Sequence, residues 1–146
     1  MNQQRSGIDP ARTITTARVI HGAVMVGIAM IFAVFLYLRT RATPEMAAET
    51  ARVFRILGYV MLVGPVLGSG LARGRISPRR RGEDLAEWWS ANLGGAIVVW
   101  VLAEAGGLGA MVLGWLTGDT NLLALGAAVA LALLFVSRPS RLQSET

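Results

Sequence analysis

The chain has 146 residues, 53% of them apolar and only 16% charged, with a mean hydropathy of +0.52, so it has too little polar surface to cover a water-soluble domain of this size. It has no cysteine, which excludes disulfides, thiolate metal sites and thiol nucleophiles. The formal charge of +5 comes from arginines that flank apolar segments, so the basic excess is explained without nucleic acid, and no nucleic-acid partner is expected.

Residues 1 to 16 are polar, with a turn expected at Asp9-Pro10. A first helix is predicted from near Thr15 or Ala17, with an apolar span over residues 19–38. Arg18 leads this span, and no small-residue cleavage pattern follows before Arg39, so the segment is read as a retained span and not a cleaved signal. His21 lies about one turn inside the membrane edge, where an imidazole can bond to a headgroup, water or a neighbouring helix.

Thr43-Pro44-Glu45 reads as a helix start, with threonine at the cap and proline at the first helical position. The second span, residues 56–72, carries Gly58, Gly64, Pro65, Gly68 and Gly70; Pro65 predicts a kink and Gly64-x-x-x-Gly68 a close-packing face. A loop over residues 73–91 follows, opened by Arg73-Gly74-Arg75 and turned at Ser77-Pro78. Glu83 to Glu87 then lead into Trp88-Trp89, a pair suited to the headgroup boundary, with Trp115 expected at the opposite one.

The third span, residues 93–116, is joined to the fourth, residues 122–136, by the turn-forming residues Thr117 to Asn121, which demands an antiparallel hairpin. The fourth stretch is short for a span, but Thr120, Asn121 and Ser137 extend it into the interface. The expected architecture is thus all-α: one transmembrane domain of four helices, or three if the last does not cross. Gly106, Ala110 and Gly114 on span three join Gly64 and Gly68 as helix-packing candidates.

Arginine placement predicts orientation. Arg5, Arg12, Arg18, Arg73, Arg75, Arg79, Arg80, Arg81, Arg138 and Arg141 fall on one side of a four-span bundle, and Arg39, Arg41, Arg52 and Arg55 on the other. Ten against four places both termini and the 73–91 loop in the cytoplasm of what is read as a bacterial inner membrane protein. The Arg79-Arg80-Arg81 run is expected to be drawn to anionic lipid.

Glu104 is the one acidic residue inside an apolar segment, where a charged carboxylate is costly. Residues 97, 100, 101, 107, 108 and 111 share its helical face. Two roles follow. A protonated Glu104 can tie span three to a hydrogen-bond partner, with Tyr59, Ser69 and His21 as the candidates within the chain; alternatively it can bind and release a proton or cation.

Leu102-Ala103-Glu104-Ala105, followed by Gly106-Gly107-Leu108-Gly109, resembles the ion-carrying second helix of rotary ATPase proteolipid subunits. That resemblance implies proton carriage at Glu104. It stops at the local motif, since span one has Gly22 and Gly27 but no dense alternation of glycines, and a further span follows. The whole chain resembles small bacterial four-span membrane proteins in Arg18 before span one, the Ala-Glu-Ala of residues 103–105, Leu116-Thr117-Gly118 and Arg138-Pro139. This second resemblance implies topology and no activity.

Other chemistries lack their parts. A bis-histidine haem needs two histidines and the chain has one, so no cofactor is expected. Ser69 and Ser90 have no histidine or lysine base near them in sequence, and no phosphate-binding loop is present, so no enzyme is expected. Four-span drug exporters carry their essential glutamate in the first span, whereas here it is in the third. A non-catalytic accessory or scaffold subunit of a larger membrane complex, or a self-associating one, fits the small-residue faces best; a proton-linked transport component is the alternative.

Overall fold

The computed structural model describes residues 10–42 and 44–144. They form helices α1 (Pro10–Arg41), α2 (Ala48–Arg73), α3 (Leu85–Leu116) and α4 (Thr120–Val136), then a single turn, α5 (Pro139–Leu142). Three of them, α1, α2 and α3, are long and apolar enough to cross a membrane, and α4 is a shorter apolar helix of 17 residues.

α3 is the axis of the bundle, packing against α1, α2 and α4. Its direction relative to each neighbour follows from side-chain pairs. His21 and Phe35 of α1 meet Trp100 and Trp115 of α3 in the same order, so those helices run parallel. Met61 and Pro65 of α2 lie beside Gly109 and Gly106, and Leu123 and Ala130 of α4 beside Gly114 and Gly107, so α2 and α4 run antiparallel to α3.

Helix ends are set by local chemistry. Asp84 caps α3 by accepting from the Ala86 amide at 3.0 Å, and Asp119 caps α4 by accepting from Leu122 at 3.1 Å. Gly118 takes φ +68°, the left-handed conformation that lets the α3–α4 turn close in so few residues. α1 begins earlier than the sequence predicts, and its 32 residues make a rod of about 48 Å, longer than an apolar core of roughly 30 Å.

α2 begins later than predicted. Thr43 lies outside the described residues, Pro44 to Ala47 are not helical, and Ala47 precedes the helix with no side-chain cap. The cause lies in packing: α1 and α2 do not pack along one another, each lying instead against α3. The connection must cross between them, and residues that would otherwise wind into helix are drawn out, each reaching up to about 3.3 Å against about 1.5 Å in a helix.

The bundle has large apolar residues outside as well as inside. Val26, Met30 and Val34 of α1 and Val60, Val63, Leu67 and Leu71 of α2 are exposed, Leu71 at 77%. Inside lie Trp88, Trp89 and Trp100 with Ile28, Met111, Leu122, Leu123 and Leu134. Glycine permits the closest crossings. A Cβ on Gly107 would fall 2.8 Å from the Gly126 carbonyl oxygen, and one on Gly126 the same distance from the Gly107 oxygen, so α3 and α4 touch backbone to backbone.

The α2–α3 crossing is as close. Pro65 has no N–H, so the Met61 carbonyl four residues earlier lacks its helical donor. That carbonyl and the Pro65 ring lie against Gly106, where a Cβ would fall 2.9 Å from the Met61 oxygen and collide with the proline.

Candidate functional site

The sequence-derived polar candidates are not gathered into one site. His21 is buried, 7% exposed, and its Nε2–H donates to the Leu134 carbonyl at 2.9 Å. Its ring meets Trp100 edge-on, with centroids 5.2 Å apart. Ser69 is also buried, but its hydroxyl donates to Val66 of its own helix at 3.3 Å. Tyr59 is exposed on α2. None of the three bonds to Glu104.

Glu104 is half-buried on α3. Helical spacing sets it on one face with Trp100 and Trp115, the two tryptophans that touch α1, so its carboxyl lies on the α1 side of the central helix. Among the described residues it has neither a hydrogen bond nor an ion pair. Ala103, Gly106 and Gly107 beside it are buried, and Ala105 is exposed.

The packing candidates divide. Gly106, Ala110 and Gly114 are buried at crossings, and a Cβ on Gly114 would fall 2.9 Å from the Leu123 Cα. Gly64 has nothing within 4 Å of its Cβ position, and Gly68 meets only the Leu102 side chain at an ordinary 3.6 Å. Among the described residues the face of Gly64 is open. It borders an apolar groove of about 390 Å³ between α2 and α3, lined by Val60, Met61, Pro65, Leu102 and Ala105.

The tryptophans reveal an organisation that sequence reading missed. Trp88 and Trp89 are 1% and 0% exposed, turned into the protein. Trp88 Nε1–H donates to the Ser77 carbonyl at 2.9 Å, and Trp89 Nε1–H to Gln143 Oε1 at 3.0 Å. Trp100 Nε1–H donates to the Ser137 carbonyl at 2.9 Å. Three indoles on α3 therefore hold three segments: the α2–α3 loop, the C-terminal turn and the end of α4. Trp115 differs, stacking on Phe35 while its buried N–H meets no acceptor.

The loop is fixed by further bonds. Asn92 accepts from the Ser77 amide at 3.0 Å and donates to the Trp88 carbonyl at 3.0 Å. Arg79 donates to the Glu83 carbonyl through Nε and Nη2, at 3.2 and 2.8 Å, so this arginine of the basic run is engaged inside the loop while Arg80 and Arg81 are exposed. At the other end Arg55 reaches across to Asp119 at 3.8 Å.

His21 and Trp100 together satisfy the end of α4. The last carbonyls of a helix lack intrahelical donors. Here the Leu133 carbonyl accepts from the Ser137 amide at 2.9 Å and its hydroxyl at 2.6 Å, Leu134 accepts from His21, and Ser137 accepts from Trp100. Among the described residues no three of His, Asp and Glu converge as a metal-binding group. Comparison with protein-family models, with curated proteins and with solved structures finds no match.

Proposed function

We propose that this chain is a small integral membrane protein acting as a non-catalytic accessory or scaffold subunit of a larger membrane assembly. The outward valines, leucines and methionine of α1 and α2 suit lipid as their solvent, and the apolar α4 completes a four-span bundle. The arginine-rich end holds the start of α1, the α2–α3 loop and the end of α4, and it lies on the cytoplasmic side of a bacterial inner membrane under the positive-inside rule.

Glu104 carries the accessory reading. His21 bonds across to α4, and the hydroxyls of Ser69 and Ser137 bond to carbonyls of their own helices, whereas among the described residues this carboxyl has no bond and is available to a donor or acceptor on another subunit. The same unbonded carboxyl favours a second reading, a proton- or cation-carrying component.

Purification from native membranes in mild detergent, with identification of co-migrating subunits for wild type and Glu104→Leu, tests the first reading. A stoichiometric partner lost in the variant is the expected result. A wild-type protein that migrates alone overturns it.

A further inference from the structure

A second feature of the arginine-rich end has no part in that reading beyond its reliance on a membrane. Between α2, α3 and the end of α4 lies a cavity of about 190 Å³. Its wall is mostly apolar, with Val66, Val99, Leu133 and Val136, while Ser69, Arg73 and Ser137 are its polar groups towards the helix ends. Along α2 the order from the end inward is Arg73, Ser69, Val66: a cation, a hydroxyl one turn deeper, then hydrocarbon. α4 repeats the gradient with Ser137 above Leu133.

That sequence of groups matches a glycerophospholipid, whose phosphate, ester carbonyls and acyl chain follow in the same order along the membrane normal. Arg73 is exposed and among the described residues has no hydrogen bond or ion pair, so its guanidinium is available to a phosphate. Ser69 spends its hydroxyl on a long 3.3 Å bond to the Val66 carbonyl, which it can exchange for an ester carbonyl. Arg75, two residues beyond Arg73, is exposed as well and adds positive charge.

We propose that this cavity binds the headgroup-proximal part of one acyl chain of an anionic glycerophospholipid, with the phosphate on Arg73. The site rests on the membrane reading above, and basic pockets between helices on the cytoplasmic side suit such headgroups.

Gly70 supplies the test, because it borders the cavity and its Cβ position has nothing within 4 Å, so a leucine there fits the backbone and fills the space. Delipidated wild type, Gly70→Leu, Arg73→Gln and, as a control at the opposite end, Arg52→Gln are titrated in detergent. The probes are phosphatidylglycerol, phosphatidylcholine and inorganic phosphate, and the readout is the thermal-unfolding midpoint. Phosphatidylglycerol should raise the midpoint saturably in wild type and Arg52→Gln; Arg73→Gln should need about fivefold more lipid, and Gly70→Leu should lose the effect. Equal responses to phosphatidylcholine, a response reproduced by inorganic phosphate, or unchanged titration of Arg73→Gln each overturn the proposal. Resistance of the wild type to alkaline carbonate extraction is measured in parallel. An extracted protein defeats the membrane reading and the site together, while a retained protein indifferent to phosphatidylglycerol defeats the site alone.

Discussion

His21 donates from Nε2 to the carbonyl of Leu134, 113 residues away, at 2.9 Å, so a side chain in the first half of α1 reaches the end of α4. Each group answers a need of the other: the imidazole is buried and requires a partner, and the carbonyl belongs to a helix terminus where its other donor is the Ser137 hydroxyl at a long 3.4 Å. Trp100 performs the same service for Ser137 and lies edge-on to the imidazole. Two aromatic rings in contact thus each send an N–H to the end of α4, in addition to the Gly107–Gly126 crossing that packs α4 on α3.

His21→Ala is expected to cost about 1 kcal/mol, the usual net worth of a lost hydrogen bond, because the Ser137 hydroxyl still reaches the Leu134 carbonyl at 3.4 Å. Trp100→Phe, which keeps a ring but removes the donor to the Ser137 carbonyl, should cost about 1 to 3 kcal/mol, and the double variant should lose less than the summed single losses because the rings are in contact. Reversible unfolding in detergent measures all three. A fully additive cycle would show that the two bonds act independently.

Glycines at the crossings should separate sharply from the open glycine. Gly106→Ala meets the Pro65 ring and the Met61 carbonyl, and Gly107→Ala meets Ala130 and the Gly126 carbonyl, so each should lose about 1 to 3 kcal/mol through overpacking. Gly64→Leu should leave the stability of the isolated chain unchanged, since nothing lies within 4 Å. Any effect of that variant should appear in association, read by size-exclusion chromatography in detergent. A destabilised Gly64→Leu monomer would contradict the open groove.

The topology has its own test. Reporter fusions after Gln143 and within the Thr117 to Asn121 turn should report opposite sides of the membrane, with the turn outside, because the arginines divide ten to four. Reporters on a shared side would reduce the spans to three.

The helix count and the α3–α4 hairpin were legible in the sequence because apolar length and a five-residue turn leave few alternatives; Asp119 and Gly118 act there as turn chemistry predicts. The start of α2 was not, because the extended path of Pro44 to Ala47 is imposed by where α1 and α2 sit against α3, a tertiary fact. Trp88 and Trp89 were assigned to the headgroup boundary because an indole that needs an acceptor is equally served by water or by Ser77 and Gln143. Small-residue spacing pointed to Gly64 and Gly68, but spacing alone cannot say which side of α2 meets α3; Pro65 and Met61 do so, against Gly106. Gly107 and Gly126 left only a faint signal, two glycines within otherwise apolar helices.

Glu104 separates the two functional readings. If the carboxyl bonds to another subunit as a neutral donor, Glu104→Gln keeps a donor of similar shape, and the assembly and its activity should survive. Glu104→Leu should then release the partner, leaving its group unpaired at a cost of roughly 1 to 3 kcal/mol. If the carboxyl carries a proton, the amide fails as completely as leucine, because it has no proton to release at accessible pH. Since Glu104 has no bond among the described residues, neither substitution should change the unfolding midpoint of the isolated protein by much, so differences in the complex are attributable to the carboxyl itself. Growth or flux assays at matched protein levels read the outcome: an active Gln variant refutes proton carriage, and an assembled but inactive one refutes the accessory role.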